Sequence, residues 1–229
     1  MMGGRGLTNT LAGIPTALFP RSADALALYL DELRQWNEKL HLVADARSEV
    51  LLGRHLSDSL MGLRTLDGLA AKGAARCRQP LQIFDLGSGG GFPGLVIAMA
   101  RPHWDLTLID SESRKVGFLL RVAAACDLSN VRVIKSRIED WHPGKVADIC
   151  VARALTDLGG LVALSTPLLR SGGFGVWWKG RGALEELAEA NDEMKSQYVR
   201  IRERTLYRCP DETFSRQVII TQKSPASMK

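Results

Sequence analysis

Leu26, Tyr29, Leu30, Leu33 and Trp36 recur at the spacing of one helical face, with Asp31, Glu32, Arg34 and Gln35 on the other side. The stretch near 22–38 therefore reads as an amphipathic helix, with Ser22 and Asp24 available as N-caps. A second helical pattern runs from Ser48 through Val50, Leu51, His55, Leu56, Ser59 and Leu63. Between Asp67 and Pro80 the periodicity stops, and two glycines among basic residues predict a loop. From Leu81 onward short apolar runs of buried-strand character appear: Leu81–Leu86, Leu106–Asp110, Val131–Ile134 and Ala147–Val151. Helical stretches near 93–101, 113–126 and 155–169 separate or follow them. Strand and helix in alternation predict an α/β fold with a mostly parallel sheet. Past Arg170, Ser171-Gly-Gly reads as a turn and Phe174–Trp178 as a strand, followed by a helix at Leu184–Lys195 and strands at Val199–Leu206 and Phe214–Thr221. The chain divides into a flexible segment 1–21, a helical extension with its linker 22–80, and the main domain 81–229.

Composition narrows the class. With 229 residues, 45% hydrophobic and 24% charged, the chain can bury a full core without staples. Cys77, Cys126, Cys150 and Cys209 form no Cys-x-x-Cys pair and have no histidine cluster beside them, so neither a zinc site nor a disulfide framework is signalled. Met1 to Pro20 lack a signal-type apolar run and anything long enough to span a bilayer, so a soluble cytoplasmic protein without membrane attachment is expected. The net charge of +5 tilts the partner toward a polyanion such as nucleic acid.

Asp85-Leu-Gly87-Ser-Gly89-Gly-Gly91-Phe92-Pro93-Gly94 is the most informative segment, set where the first strand passes into a helix. That is where open α/β sheets bind ligands, and glycines let backbone approach a ligand closely. Gly89-x-Gly91-x-x-Gly94 satisfies a dinucleotide fingerprint, which leaves a nicotinamide-dependent oxidoreductase as one reading. Asp85, two residues before Gly87, favours another: Asp-x-Gly-x-Gly resembles motif I of S-adenosylmethionine-dependent methyltransferases. Asp110 ends the second strand, where a carboxylate can accept hydrogen bonds from ribose hydroxyls or merely cap the next helix.

Together with Trp36-Asn-Glu-Lys-Leu, Arg54-His-Leu-Ser-Asp-Ser-Leu, Arg101-Pro-x-Trp, Ser136-Arg-Ile-Glu, Val151-Ala-Arg-Ala and Trp178-Lys-Gly, this loop resembles the 16S ribosomal RNA guanine-N7 methyltransferase G family, also called glucose-inhibited division protein B. The resemblance spans about Tyr29 to Ile220. It implies a Rossmann-like class I methyltransferase sheet with a final antiparallel strand pair and N-terminal helices, so that 81–229 is the methyltransferase domain. It further implies S-adenosylmethionine as donor and, as acceptor, a guanine of the 530 loop of 16S ribosomal RNA, guanine 527 in the usual RNA numbering. By matching position, Gly87, Phe92, Ile138, Glu139 and Arg153 are expected at the cofactor, joined by Asp85, Gly89 and Gly91 of the glycine loop and by Asp110 at its strand end, with Arg137, Arg153, Lys179 and Arg216 near the RNA or the reacting base. One departure stands out: His41-Leu-Val43 replaces the Asn-Leu-Thr common in the family.

N7 of guanine carries a lone pair and no proton, so its methylation needs orientation rather than a general base, a nucleophile or a metal. Arginine suits the role because it can hold phosphate or the O6 edge and leave N7 open. Cys150 lies between Ile149 and Val151 and reads as core. His55 and Asp58 on one turn read as a helix-packing hydrogen bond, and Trp36, Trp177 and Trp178 as packing residues that can also stack a base. Lys72, Arg76, Arg78, Arg114, Lys115, Lys135 and Lys179 are candidates for a phosphate-binding patch. The expected partner is 16S ribosomal RNA in the 30S subunit or an assembly intermediate, with the protein acting as a monomer. A non-catalytic RNA-binding module with a retained cofactor fold is the second rival to the methyltransferase reading.

Overall fold

The computed structural model describes Phe19 and residues 23–73, 80–209 and 212–224. Seven strands form one sheet: β1 Gln82–Leu86, β2 Asp105–Asp110, β3 Val131–Lys135, β4 Ala147–Arg153, β5 Leu169–Lys179, β6 Val199–Tyr207 and β7 Arg216–Lys223. Their order is β3-β2-β1-β4-β5-β7-β6, with β1 to β5 parallel and β7 antiparallel to both its neighbours. This is the mostly parallel sheet with a closing antiparallel pair that the resemblance implied. The order reverses between β1 and β4, which opens a crevice at the strands' carboxyl ends.

Helices cover both faces: α1 Ala23–Leu40, α2 Ser48–Val50, α3 Ser57–Gly73, α4 Gly94–Ala100, α5 Ser113–Ala125, α6 Leu158–Ser165, α7 Ala183–Glu189 and α8 Asn191–Ser196. The apolar stripe of α1 is buried as its spacing requires, and Leu26, Leu30 and Leu33 join Leu95, Phe118 and Ile83 in one core. Phe19 is buried there too. The N-terminal helices thus share a core with the sheet, and a pair between Glu32 of α1 and Arg121 of α5, 2.6 Å apart, closes its rim. On the opposite face Phe84, Ile109, Cys150, Val162, Trp177 and Ile219 form a second core under α6 to α8.

Several elements differ from their expected extents. The helical stretch continues to Gly73 instead of loosening at Asp67, whose carboxylate grips Arg101 at 2.7 and 2.5 Å beside α4. Within that stretch, Leu51–Leu56 widens into a π-helical turn that carries Arg54 and His55. α6 starts at Leu158, not 155, because Ala154 sits at φ +55 and Asp157 caps the helix by accepting from Gly160 N–H at 2.7 Å. Ser171-Gly-Gly is no separate turn. It lies inside β5 as an irregularity where the pairing with β4 slips, with Gly172 at φ +74. The expected helix at Leu184–Lys195 divides at Ala190, which is buried against the second core. Ser22, Arg76, Arg78, Cys77, the rest of the segment 1–21 and the Lys72 side chain lie outside the described residues.

Gly62 offers a test of how tightly α3 meets β5. Glycine to alanine in a helix ordinarily stabilises by about 1 kcal/mol. Here a Cβ would fall 1.8 Å from Trp178 Cζ2, and the indole is tethered by a 2.7 Å hydrogen bond from its Nε1 to Asp58 O. Gly62→Ala should therefore destabilise the protein by about 1–3 kcal/mol in urea unfolding; an increase in stability would show that the contact yields freely.

Candidate active site

At the end of β1 the chain turns through Gly87, Gly89 and Gly91 at φ +67, +52 and +91, where side chains are disfavoured. Crowding reinforces the choice: a Cβ on Gly87 would lie 2.6 Å from Leu155, and one on Gly94 would lie 2.3 Å from Leu108. Tyr29 of α1 supports the loop from behind by donating to Gly90 O at 2.6 Å. Asp85 accepts from Gly94 N–H at 3.1 Å, and Ser88 Oγ bridges Asp85 O and Ile109 N–H at 2.9 and 3.1 Å. Asp85 Oδ1 is buried without a hydrogen-bond partner, and burial pushes the carboxyl up to about 7.

The loop forms one side of a cavity of about 620 Å³ at the carboxyl ends of β1 to β4. Gly87, Gly89, Phe92, Asp110, Arg137, Ile138, Glu139, Arg153 and Arg216, far apart in the chain, all line it. Asp85 and Gly91 do not; they stand behind the loop and shape it. Asp110 accepts from Gly89 N–H and Glu112 N–H, both at 2.9 Å, one on each oxygen. Each oxygen keeps a lone pair for a further donor such as a ribose hydroxyl. Arg137 is exposed and lies 3.7 Å from Glu139.

Lys179 departs from expectation. It is buried, donates to Thr156 O at 2.6 Å and pairs with Glu186 at 2.6 Å, so its ammonium ties the β4–α6 loop to α7 and does not line the cavity. Trp177 and Trp178 are buried in the two cores. Asp58 bonds to Tyr207 and Arg153 rather than to His55.

Residues from the N-terminal extension that were not expected at the site reach it as well: Leu42, Val43, Ala44, Arg54 and His55. Leu42 and Val43 of the unusual His41-Leu-Val43 thus border the cavity, held by Val43 N–H on Asn37 Oδ1 at 2.8 Å. His55 stacks on Phe92 with centroids 5.4 Å apart. Burial, with Arg153 and Arg54 nearby, depresses its pKa to about 3, so the imidazole is neutral at physiological pH. The tight signal for this wall was the Arg54-His pair, but its orientation depends on the π turn.

A family model described as rRNA small subunit methyltransferase G matches residues 22–212. The chain belongs to this family. Relatives named ribosomal RNA small subunit methyltransferase G include one from Gluconobacter oxydans, 38% identical over 190 residues and covering 83% of this chain and 91% of the relative. Another, from Bordetella pertussis, is 32% identical over 190 residues, covering 77% and 81%. Among solved structures, the N-methyltransferase NodS from Bradyrhizobium japonicum in complex with S-adenosyl-L-homocysteine aligns with a TM-score of 0.54 at 17% identity, over 84% of this chain and 99% of that one. An S-adenosylmethionine-dependent O-methyltransferase from Thermotoga maritima aligns with a TM-score of 0.52 at 14% identity, over 73% and 65%. The fold of this family member is thus the Rossmann-like class I methyltransferase fold, and its cofactor is S-adenosylmethionine. The glycine cradle, the open lone pairs of Asp110 and a cavity of about 620 Å³ suit a ligand of that size.

Asp85 makes stability depend on pH in a definite direction. Its folded pKa of about 7 exceeds the ordinary 3.8, so between those values the folded chain keeps a proton that the unfolded chain has lost. Its contribution is complete below about pH 4 and is lost as the pH rises through about 7. Asp85→Asn cannot titrate, so the unfolding free energy of wild type minus variant should fall by about 2 kcal/mol between about pH 5 and pH 8. A constant difference would mean that the carboxyl titrates normally.

Proposed function

We propose that this rRNA methyltransferase moves the methyl group of S-adenosylmethionine to N7 of a guanine in the 530 loop of 16S ribosomal RNA. The substrate is the 30S subunit or a late assembly intermediate, and the protein works as a monomer in the cytoplasm. The observation that carries this reading is the composition of this cavity: a glycine cradle with Asp110 shares it with Arg54, Arg153 and Arg216, while Cys150 is buried in the core beneath.

The donor supplies an electrophilic methyl on a sulfonium. An in-plane lone pair such as N7 can accept it with no proton to remove, and the residues present are suited to orientation rather than to base or nucleophilic chemistry. His55, depressed to about 3, is too weak a base to take a proton near neutrality. Arginine forks can bind O6 or a phosphate and leave N7 exposed, which supports guanine over an exocyclic-amine target. The net charge of +5 and the exposed Arg137 suit an RNA partner.

The test is incubation with labelled donor and 30S subunits from a strain lacking the modification, followed by mass mapping. A new N7-methylguanine in the 530 loop is expected. Arg153→Ala should lower product formation on the order of 100-fold, and Gly87→Asp, whose Cβ would meet Leu155 at 2.6 Å, should abolish donor binding and product alike. Donor binding without a methyl on 16S RNA would overturn the substrate assignment.

A further inference from the structure

Arg153 reaches the cavity from the end of β4, and its direction is set from below. Its Nη1 donates to Asp58 Oδ2 at 3.2 Å. Asp58, near the start of α3, is 0% exposed and absent from the cavity lining. Its other oxygen accepts from the Tyr207 hydroxyl of β6, and its backbone carbonyl accepts from Trp178 Nε1 of β5 at 2.7 Å. The Tyr207 hydroxyl thus holds one carboxylate oxygen and the Trp178 indole anchors the backbone beside it, which leaves the second oxygen to meet the arginine.

A fully buried carboxylate persists only where donors satisfy it, and because the guanidinium is rigid, one hydrogen bond to it together with contact on an aromatic face restrains the direction of the whole fork. The Arg153 fork lies over Phe92, 5.0 Å from the ring centroid, in the cradle's own wall. Arg216 is also near, 3.8 Å from Asp58, but Glu212 grips it independently at 2.5 and 2.7 Å. Asp58 is thus the one carboxylate that holds Arg153 among the described residues.

We propose that Asp58 is a positioning residue for methyl transfer: held by Tyr207 at its carboxylate and by Trp178 at its backbone carbonyl, it aims Arg153 at the incoming guanine without touching substrate itself. This rests on the reading of the chain as an RNA guanine methyltransferase. The role is distinct from packing because it runs through one arginine.

A double-variant cycle tests it. Asp58→Asn, Arg153→Met and the pair are assayed with tritiated donor on 30S subunits lacking the modification, alongside donor affinity and thermal midpoint. Asp58→Asn should lower kcat on the order of 10- to 100-fold while donor affinity changes by less than about threefold. In the Arg153→Met background the same substitution should cost no further activity, since its target is already gone. An equal loss in both backgrounds would overturn the proposal and leave Asp58 a packing residue. Tyr207→Phe keeps every charge in place and carries the same cycle should Asp58→Asn fail to fold. Wild-type protein that binds donor but methylates no RNA would instead defeat the RNA reading itself.

Discussion

The carboxyl edge of the sheet depends on how closely the backbone between Gly87 and Gly94 can approach its surroundings. Leu155 and Leu108 stand within 2.6 Å of where side chains would begin on Gly87 and Gly94, and Leu95 stands 2.4 Å from the same point on Gly91. Glycine meets that crowding without displacing its neighbours, and positive φ at Gly87 and Gly91, as at Gly89 between them, adds a second reason. Because the loop lies so close, Tyr29 can donate to Gly90 O from α1, and Asp110 can accept from Gly89 N–H from β2. The N-terminal helices are therefore part of the donor cradle's support, not an appendage beside it.

A second constraint is electrostatic. Arg54, Arg153 and Arg216 share one wall of the cavity, and mutual repulsion in a partly dehydrated space would disperse them without counter-charges. Asp58 and Glu212 supply these counter-charges, with Arg54 3.1 Å from Glu212. Buried ion pairs are weak contributors to stability because of desolvation, so such an arrangement is better understood as fixing orientation. Two carboxylates among three arginines leave the wall cationic, which suits an anionic ligand. Burial first, and then these three arginines by opposing a further positive charge, keep His55 neutral.

Much of the fold was legible in advance. The strands β1, β2 and β4 are apolar runs buried on both faces, and a continuous run of that kind has few other stable placements in a chain of this size, whereas β3, expected to be buried as well, is half-exposed because it lies at the sheet edge. What escaped were boundaries decided by partners distant in sequence. Asp67 continues its helix because Arg101 receives it, and Ser171-Gly-Gly joins β5 because Leu169 before it and Phe174 after it both pair with β4. The start of α6 shifted because Ala154 takes a left-handed turn that no propensity foretells for alanine.

The same division runs through the site. Glycine spacing, the strand-end position of Asp110 and the resemblance over most of the chain identified a methyl-donor cradle, since those features are local: a loop of fixed length between a strand and a helix has one way to meet a ligand. Charge type was legible too, but not which charges would be spent internally. Lys179 and Arg153 both follow sheet strands and look alike in sequence, yet one is consumed by Thr156 and Glu186 and the other faces the cavity. Sequence alone determined the chemistry available to this protein, because residue types and near-neighbour spacing set it. The tertiary structure alone decided which side chains act together, because Asp58, Arg153, Tyr207 and Arg216 meet only once separate strands and the N-terminal helix are packed around a common core.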